Sequence, residues 1–456
     1  MHPEEPVERE AARAHRVHVG AAAEERHRGA RRREQPAHDR ADRAGARDQH
    51  TVAHATHDTS RARGEQDDVD RRGTFQYRPE PDVIQRDRLQ ALFLELVQID
   101  SLSRREGRIA TRLARELQEL GAAVQFDDAG AQIGGETGNL IAHVPGSVDA
   151  PPLLLCAHMD TVEPGAGVRP VVEDDVIRSD GTTVLGGDDK SGVAIVCECV
   201  RVCRERRLGH PPLDVVFTVC EEVGLLGARH LDLGRIRARR GLVFDSDAVG
   251  LAFTRAPGAN LIEVVVRGRA AHAGMAPEQG VSAIRVAAEA IAAMRLGRLD
   301  AETTANVGVI TGGRAVNIVP DEVRVRGEAR SHDLARLSAQ TEHMRACFTE
   351  AAARHSGAAA DVTVTRQYEP MSVPDDAPIM RLVAAAAARV GRTITSAGMG
   401  GGCDANILNR RGLEVVNLGT GMRDIHTTKE WLRVSDMVAA AEVTLAAIEL
   451  AAAASP

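Results

Sequence analysis

Three short apolar runs in the middle of the chain each stop at acids or a histidine: Leu153-Leu154-Leu155-Cys156-Ala157-His158-Met159-Asp160, Val215-Val216-Phe217-Thr218-Val219-Cys220-Glu221-Glu222 and Leu242-Val243-Phe244-Asp245. Continuous runs of this length predict parallel strands buried on both faces. In an open α/β sheet the ligand crevice lies beyond the carboxyl ends of such strands, so polar groups delivered there by neighbouring strands converge.

Around these runs the apolar period changes. Leu89, Leu92, Leu94, Leu96 and Val97 form a helical stripe, and Ile109 to Leu120 repeats it before Gly121 closes the helix. Strands are predicted at 122–126 and 139–144, and a helix from Ser191 to Arg206 separates two of the opening runs. This alternation predicts an α/β domain with a mostly parallel sheet. After Asp245 the pattern reads strand 260–267, helix 280–295, strands 304–311 and 322–330, helix 333–354 and strand 361–366. That β-α-β-β-α-β order is that of a ferredoxin-like unit. The chain then returns to α/β with helix 377–389, a glycine-rich turn at 398–402, strand 414–418 and an alanine-rich helix from Ser435. The expected organisation is a catalytic domain in two parts, 81–255 and 369–456, with the smaller domain, 256–368, inserted between them.

Residues 1–80 are rich in Arg, Glu, Asp, Ala and His with almost no large apolar residues. Such a segment cannot bury enough surface to offset its ordering entropy, so it is read as a disordered charged tail or an upstream extension from a misplaced start. Eight of the 17 histidines lie there, irregularly spaced among charges, which suits a solvated tail better than a metal tract. Lacking an apolar core and carrying many acids, this region is not expected to be a targeting leader.

Net charge is -8 with both signs interspersed, so no nucleic-acid or anionic-membrane footprint is expected. No apolar stretch approaches the ~20 residues of a membrane span. Seven cysteines without a framework spacing point to a reducing, cytoplasmic setting. Cys197, Cys199 and Cys203 fall on one helix at positions that do not bring three sulfurs together, and are read as packing. Of 57 basic residues only Lys190 and Lys429 are lysine, a bias that makes both positions worth following.

The chemistry-bearing residues lie at the strand tips. His158-x-Asp160 puts an imidazole and a carboxylate on one side of an extended segment, suiting a ligand histidine with a partner acid, or a structural pair. Asp188-Asp189-Lys190 follows Gly186-Gly187 at a helix entrance, where the acids serve as ligands or as a cap. Glu221-Glu222 would repel each other at the end of so apolar a strand unless one binds a cation and the other works as a base. Asp245 and His426 supply further oxygen and nitrogen donors.

In these motifs the chain resembles the co-catalytic dinuclear zinc peptidases that include peptidase T, carboxypeptidase G and the aminoacylases, over residues 83–456. Ala157-His158-Met159-Asp160, Gly187-Asp188-Asp189-Lys190-Ser191-Gly192, Glu221-Glu222-Val223-Gly224, Asp245 and His426 stand in family order. The resemblance implies Asp188 bridging two metals, His158 and Asp245 completing one site, and Glu222 and His426 the other. It further implies Glu221 as general base and Asp160 as the group orienting His158. Arg269-Ala270-Ala271-His272-Ala273-Gly274 and Pro277-x-x-Gly280 match the family's lid. There His272 is implied to stabilise the oxyanion, entering from the partner subunit of a homodimer formed through the inserted domain. Gly312-Gly313, Asn317-Ile318-Val319-Pro320 and Arg330-Ser331-His332-Asp333 resemble peptidase T-like members and imply Asn317 and Arg330 as substrate contacts. The fork of Arg330 suits a carboxylate, with a strand-end salt bridge as the alternative.

The run Gly398-Met399-Gly400-Gly401-Gly402-Cys403-Asp404 lacks a nucleotide-binding pattern, and Cys403 stands where the family has serine. Its backbone amides, those of Gly401 and Gly402 among them, are expected to line the substrate pocket. The resemblance thus implies a cytoplasmic hydrolase with two zinc ions per chain, cobalt or manganese also suiting the donors, that cleaves an amide bond in small peptides. Peptidase T-like aminopeptidase or tripeptidase activity leads. An aminoacylase or carboxypeptidase acting on N-acyl amino acids is the runner-up, and a non-hydrolytic binding protein on the same scaffold is the alternative of another class.

Overall fold

The computed structural model describes residues 83–453; the tail expected at 1–80 lies outside them. The larger of two main sheets has nine strands. Its middle consists of Leu213–Thr218, Leu153–His158, Arg240–Phe244 and Glu414–Leu418, in that spatial order and all parallel. Antiparallel pairings border them, through Leu140–Val144 and Ala123–Phe126 on one side and Leu251–Ala256 and Met371–Ser372 on the other, and the ninth strand, Thr395–Gly398, pairs parallel to Leu251–Ala256. The opening apolar runs therefore occupy the parallel centre. Every residue of the strands at 153 and 213 is buried. Phe217 and Phe244 are fully enclosed, each worth about 1.5–3 kcal/mol of burial.

Register decides where the polar tips meet. Leu153 is level with Leu213, so His158 ends its strand beside Thr218, and the chain turns into Glu221 three residues later. Helices Gly187–Glu205, Val434–Ala453, Pro378–Arg389 and Arg86–Val97 pack around this sheet. The first is longer than expected because it includes Asp188 and Asp189, but both have non-helical backbone angles, and regular helix begins near the expected Ser191.

The second main sheet is antiparallel, ordered Gly297–Arg298, Thr303–Gly312, Glu322–Ser331, Gly258–Arg267 and Ala359–Tyr368. Helices Ala283–Ala292 and Leu334–Ala353 cover one face around a separate core that includes Val264, Val325 and Phe348. Helix 283–292 is shorter than the expected 280–295. Pro277–Gln279 forms a 3-10 turn, and the Ser282 hydroxyl then caps the helix by accepting from the Arg285 N–H. A third, small sheet of Pro170–Glu173, Val176–Ser179 and Trp431–Arg433 was not legible as strands, since its runs are very short. No described helix is long and apolar enough to cross a membrane.

Candidate metal centre

His158 is 2% exposed and held from both ring nitrogens. Nε2 lies 3.0 Å from Asp188 Oδ1. Nδ1 lies 3.0 Å from the backbone oxygen of Asp160, with the Asp160 carboxylate at 3.5 Å. Because the strand ends at His158, the simple alternation expected to place the Asp160 carboxylate on the imidazole does not extend to residue 160, and the carbonyl takes the closer position. The carboxylate instead accepts Ser103 Oγ at 2.7 Å and the backbone N–H groups of Glu221 and Glu222 at 3.0 and 3.3 Å. Asp160 thus ties the histidine-bearing strand to the paired glutamates.

The two adjacent aspartates separate into different tasks. Asp189 accepts the backbone N–H groups of His158 at 3.1 Å and Gly192 at 3.2 Å, which consumes both its oxygens in fixing the strand to the helix entrance. Asp188 faces the crevice, Oδ1 toward His158 and Oδ2 3.2 Å from His426 Nε2. The loop presenting it rests on Glu430, whose buried carboxylate accepts the N–H groups of Leu185, Gly186 and Asp188 at 2.8, 2.8 and 3.0 Å. Asp245, at its strand tip, is fixed by Asn417, which accepts its N–H at 2.8 Å and donates to its carbonyl at 2.6 Å. His426 approaches from the opposite side, 3.0 Å from Glu222.

Ligand atoms of His158, Asp188 and Asp245 lie within 4.8 Å of one another, as do those of Asp188, Glu222 and His426, and those of His158, Glu221 and Glu222. Burial and mutual repulsion push the carboxyls of Glu221, Glu222 and Asp245 up from the usual carboxylate range. Asp188 goes the other way. Although burial opposes its ionisation, the two imidazoles hold it below its ordinary value. Asp188 and Glu222 in turn push His426 up to about 10. Among the described residues no Lys or Arg forms an ion pair with any of the four carboxylates. A buried excess of negative charge, arranged as mixed nitrogen and oxygen donors on both sides of one carboxylate, fits divalent cations.

Not every expected residue joins this cluster. His272 and Asn317 are exposed and pair with each other's segments, Ala273 N–H donating to the Asn317 carbonyl at 2.9 Å, away from the pocket of their own chain. Arg330 does line the pocket, but its Nε and Nη2 are engaged by both oxygens of Glu328 at 3.0 Å, leaving Nη1 toward Gly401. Gly401 and Gly402 line the pocket, whereas Cys403 is buried beneath them against Asn417. Cys197, Cys199 and Cys203 are buried along one helix. Lys190 is buried and donates to the Ile99 carbonyl at 3.0 Å, a structural pin, while Lys429 is exposed. Glu430, Asn417 and Ser103 carried no signal of their own, because an acid, amide or hydroxyl that receives or gives a backbone bond looks like any surface residue in sequence.

The pocket above the cluster has a volume of about 930 Å³. Its floor includes Asp188, Glu221, Glu222, Asp245 and His426, and its roof comes from the second sheet through Leu261, Glu328, Arg330 and Tyr368. Residues 256–356 match the family described as Peptidase dimerisation domain, and 139–260 match Peptidase family M28. The chain is 42% identical to the YqjE protein of Bacillus subtilis over 80% of this chain and 98% of that one. It is 30% identical to an acetylornithine deacetylase of Myxococcus xanthus over 77% and 94%. Among solved structures it is similar to aminopeptidase PepT from Bacillus cereus, at 42% identity and TM-score 0.72, over 82% of this chain and all of that one. A tripeptidase from Staphylococcus aureus is similar at 39% identity and TM-score 0.77, over 82% of this chain and all of that one. With the parallel sheet, the crevice at its strand tips and these relatives in agreement, the chain belongs to the peptidase T-like metallopeptidase family.

Proposed function

We propose that the protein hydrolyses an amide bond in small peptides, as an aminopeptidase or tripeptidase, with two divalent cations held by His158, Asp188, Asp245, Glu222 and His426. The carrying observation is Asp188 set between His158 and His426, with Asp245 and Glu222 completing two overlapping donor groups. Zinc leads among the cations, with cobalt and manganese suiting the same donors. Bound there, the cations supply Lewis-acid charge that makes water a better nucleophile and the carbonyl a better electrophile.

The chain's own residues do the rest. Glu221 is buried, lines the pocket and has no hydrogen bond to its carboxylate among the described residues, while its backbone is fixed by Asp160. It takes the proton of the attacking water as the C–O bond forms, and returns it to the amine nitrogen as the C–N bond breaks. A pocket of about 930 Å³ has room for a short peptide. The aminopeptidase and tripeptidase relatives support peptide substrates; the 30% identical acetylornithine deacetylase keeps N-acyl amino acids as the second reading. A homodimer through 256–368 is the proposed assembly, and it supplies His272 to the neighbouring site. A panel of tripeptides, dipeptides and N-acetyl amino acids with zinc, cobalt or manganese tests this reading. Expected are cleavage of tripeptides, about two metals per chain, and loss of ~1,000-fold or more in Glu221→Gln. Unchanged turnover in that variant overturns the mechanism.

A further inference from the structure

The last strand of the second sheet carries a β-bulge at its end. Arg366 pairs with Asn260 and Tyr368 with Ala259, so Gln367 is an extra residue with no partner in the register. On a regular strand neighbouring side chains point to opposite faces, whereas a bulge can re-aim them. Here Gln367 and Tyr368 both line the pocket above the metal centre.

Each of the two meets a glycine of a sequence motif. A Cβ on Gly224, in Glu221-Glu222-Val223-Gly224, would lie 2.7 Å from Gln367 Oε1. A Cβ on Gly402 would run into the Tyr368 ring and lie 2.8 Å from its hydroxyl oxygen. The body of Tyr368, 8% exposed, is anchored among Leu225, Ala228, Ala259 and Ile407, which come from both sheets' surroundings. Its hydroxyl lies against Gly402, in the pocket that Arg330 and Glu221 also line. No described residue accepts its proton. In a chain with only two tyrosines, this one is locked in position with a free donor in the pocket that Glu221 also lines. Burial raises the phenol above its ordinary value, so it stays protonated.

We propose that Tyr368 is a further catalytic residue, whose O–H donates to the carbonyl oxygen of the scissile amide and strengthens that bond as negative charge develops there. On the reading above that oxygen also meets the cations and the neighbouring subunit's His272; of this chain's own side chains, Arg330 is engaged by Glu328 and His272 stands outside the pocket. Tyr368 is a hydroxyl donor of the same chain, its ring fixed at the pocket wall. Loss of one such donor costs about 100-fold in kcat.

The role rests on the hydrolase reading above, and Tyr368→Phe tests it in the full-length, metal-loaded protein, since the variant keeps the ring against Gly402 and removes only the hydroxyl. Expected are a kcat lower by about 100-fold, a KM within about threefold, and wild-type metal content and melting temperature. Affinity for a phosphinate peptide, a mimic of the tetrahedral state, should fall in parallel with kcat/KM. A kcat within about threefold of wild type, or a loss confined to KM, overturns the catalytic role. Absence of amidase activity in the wild type on any of the three substrate types would instead overturn the hydrolase reading, and this role with it.

Discussion

The Asp160 carboxylate accepts the backbone N–H of Glu221 at 3.0 Å, linking the loop after one central strand to the loop after its neighbour. The same carboxylate takes the Glu222 N–H and the Ser103 hydroxyl, so one buried acid sets the position of both glutamates. In Asp160→Asn one acceptor oxygen becomes an NH2 facing donors. We expect kcat to fall about 10- to 100-fold and metal affinity to weaken by a similar factor, measured by turnover and by metal titration. Wild-type values for both would show that the anchoring does not matter.

Asp404, which is not one of the proposed metal ligands, gives a pH signature of its own. It is 2% exposed, and among the described residues its only hydrogen-bond donor is Thr218 Oγ1 at 2.5 Å and its other oxygen has no partner. Burial pushes its pKa up to about 6. The folded protein therefore holds this proton more tightly than the unfolded chain, where aspartate titrates near ~4. The stabilisation is complete below the unfolded value and is lost as pH rises through about 6. Asp404→Asn should be more stable than wild type at pH 7 by about 1–3 kcal/mol, with the gap closing toward pH 4, in denaturant titrations across that range. A gap that does not vary with pH would remove the assignment.

The proposed dimer has a clear point of attack. Among the described residues, strand Thr303–Gly312 is paired on its outer side only at Thr304 and Ala305, and beyond them Val309 and Ile310 are 47% and 52% exposed. An unpaired, apolar strand edge of this kind is a template for another chain. Ile310→Asp, at an exposed site, should leave each subunit folded, convert dimers to monomers in sedimentation at micromolar concentration, and reduce activity by about 10-fold or more as the neighbouring His272 is withdrawn. A monomeric wild type with full activity would rule out the contribution across subunits.

How much of this was legible beforehand depended on the kind of signal. The apolar runs ending at His158, Glu221-Glu222 and Asp245 had a length and a composition that suit buried parallel strands, so the sheet and its strand-tip crevice could be read from them. The strand–helix order of 258–368 was also readable, because strands Gly258–Arg267 and Glu322–Ser331 alternate buried with more exposed positions. Asp188 and Asp189, by contrast, are identical neighbours whose different hydrogen bonds arise from groups far along the chain.

By itself the sequence determined which residue types reach the crevice and in what order, since hydrophobic periodicity and strand ends are local properties. The tertiary structure decided what each one does. Glu430 supports the Asp188 loop across more than two hundred residues, Asn417 fixes Asp245, and an extra residue in a strand, Gln367, stands beside Tyr368 at the pocket wall. Those relationships depend on register and on backbone groups, which carry no side-chain identity for a sequence to display.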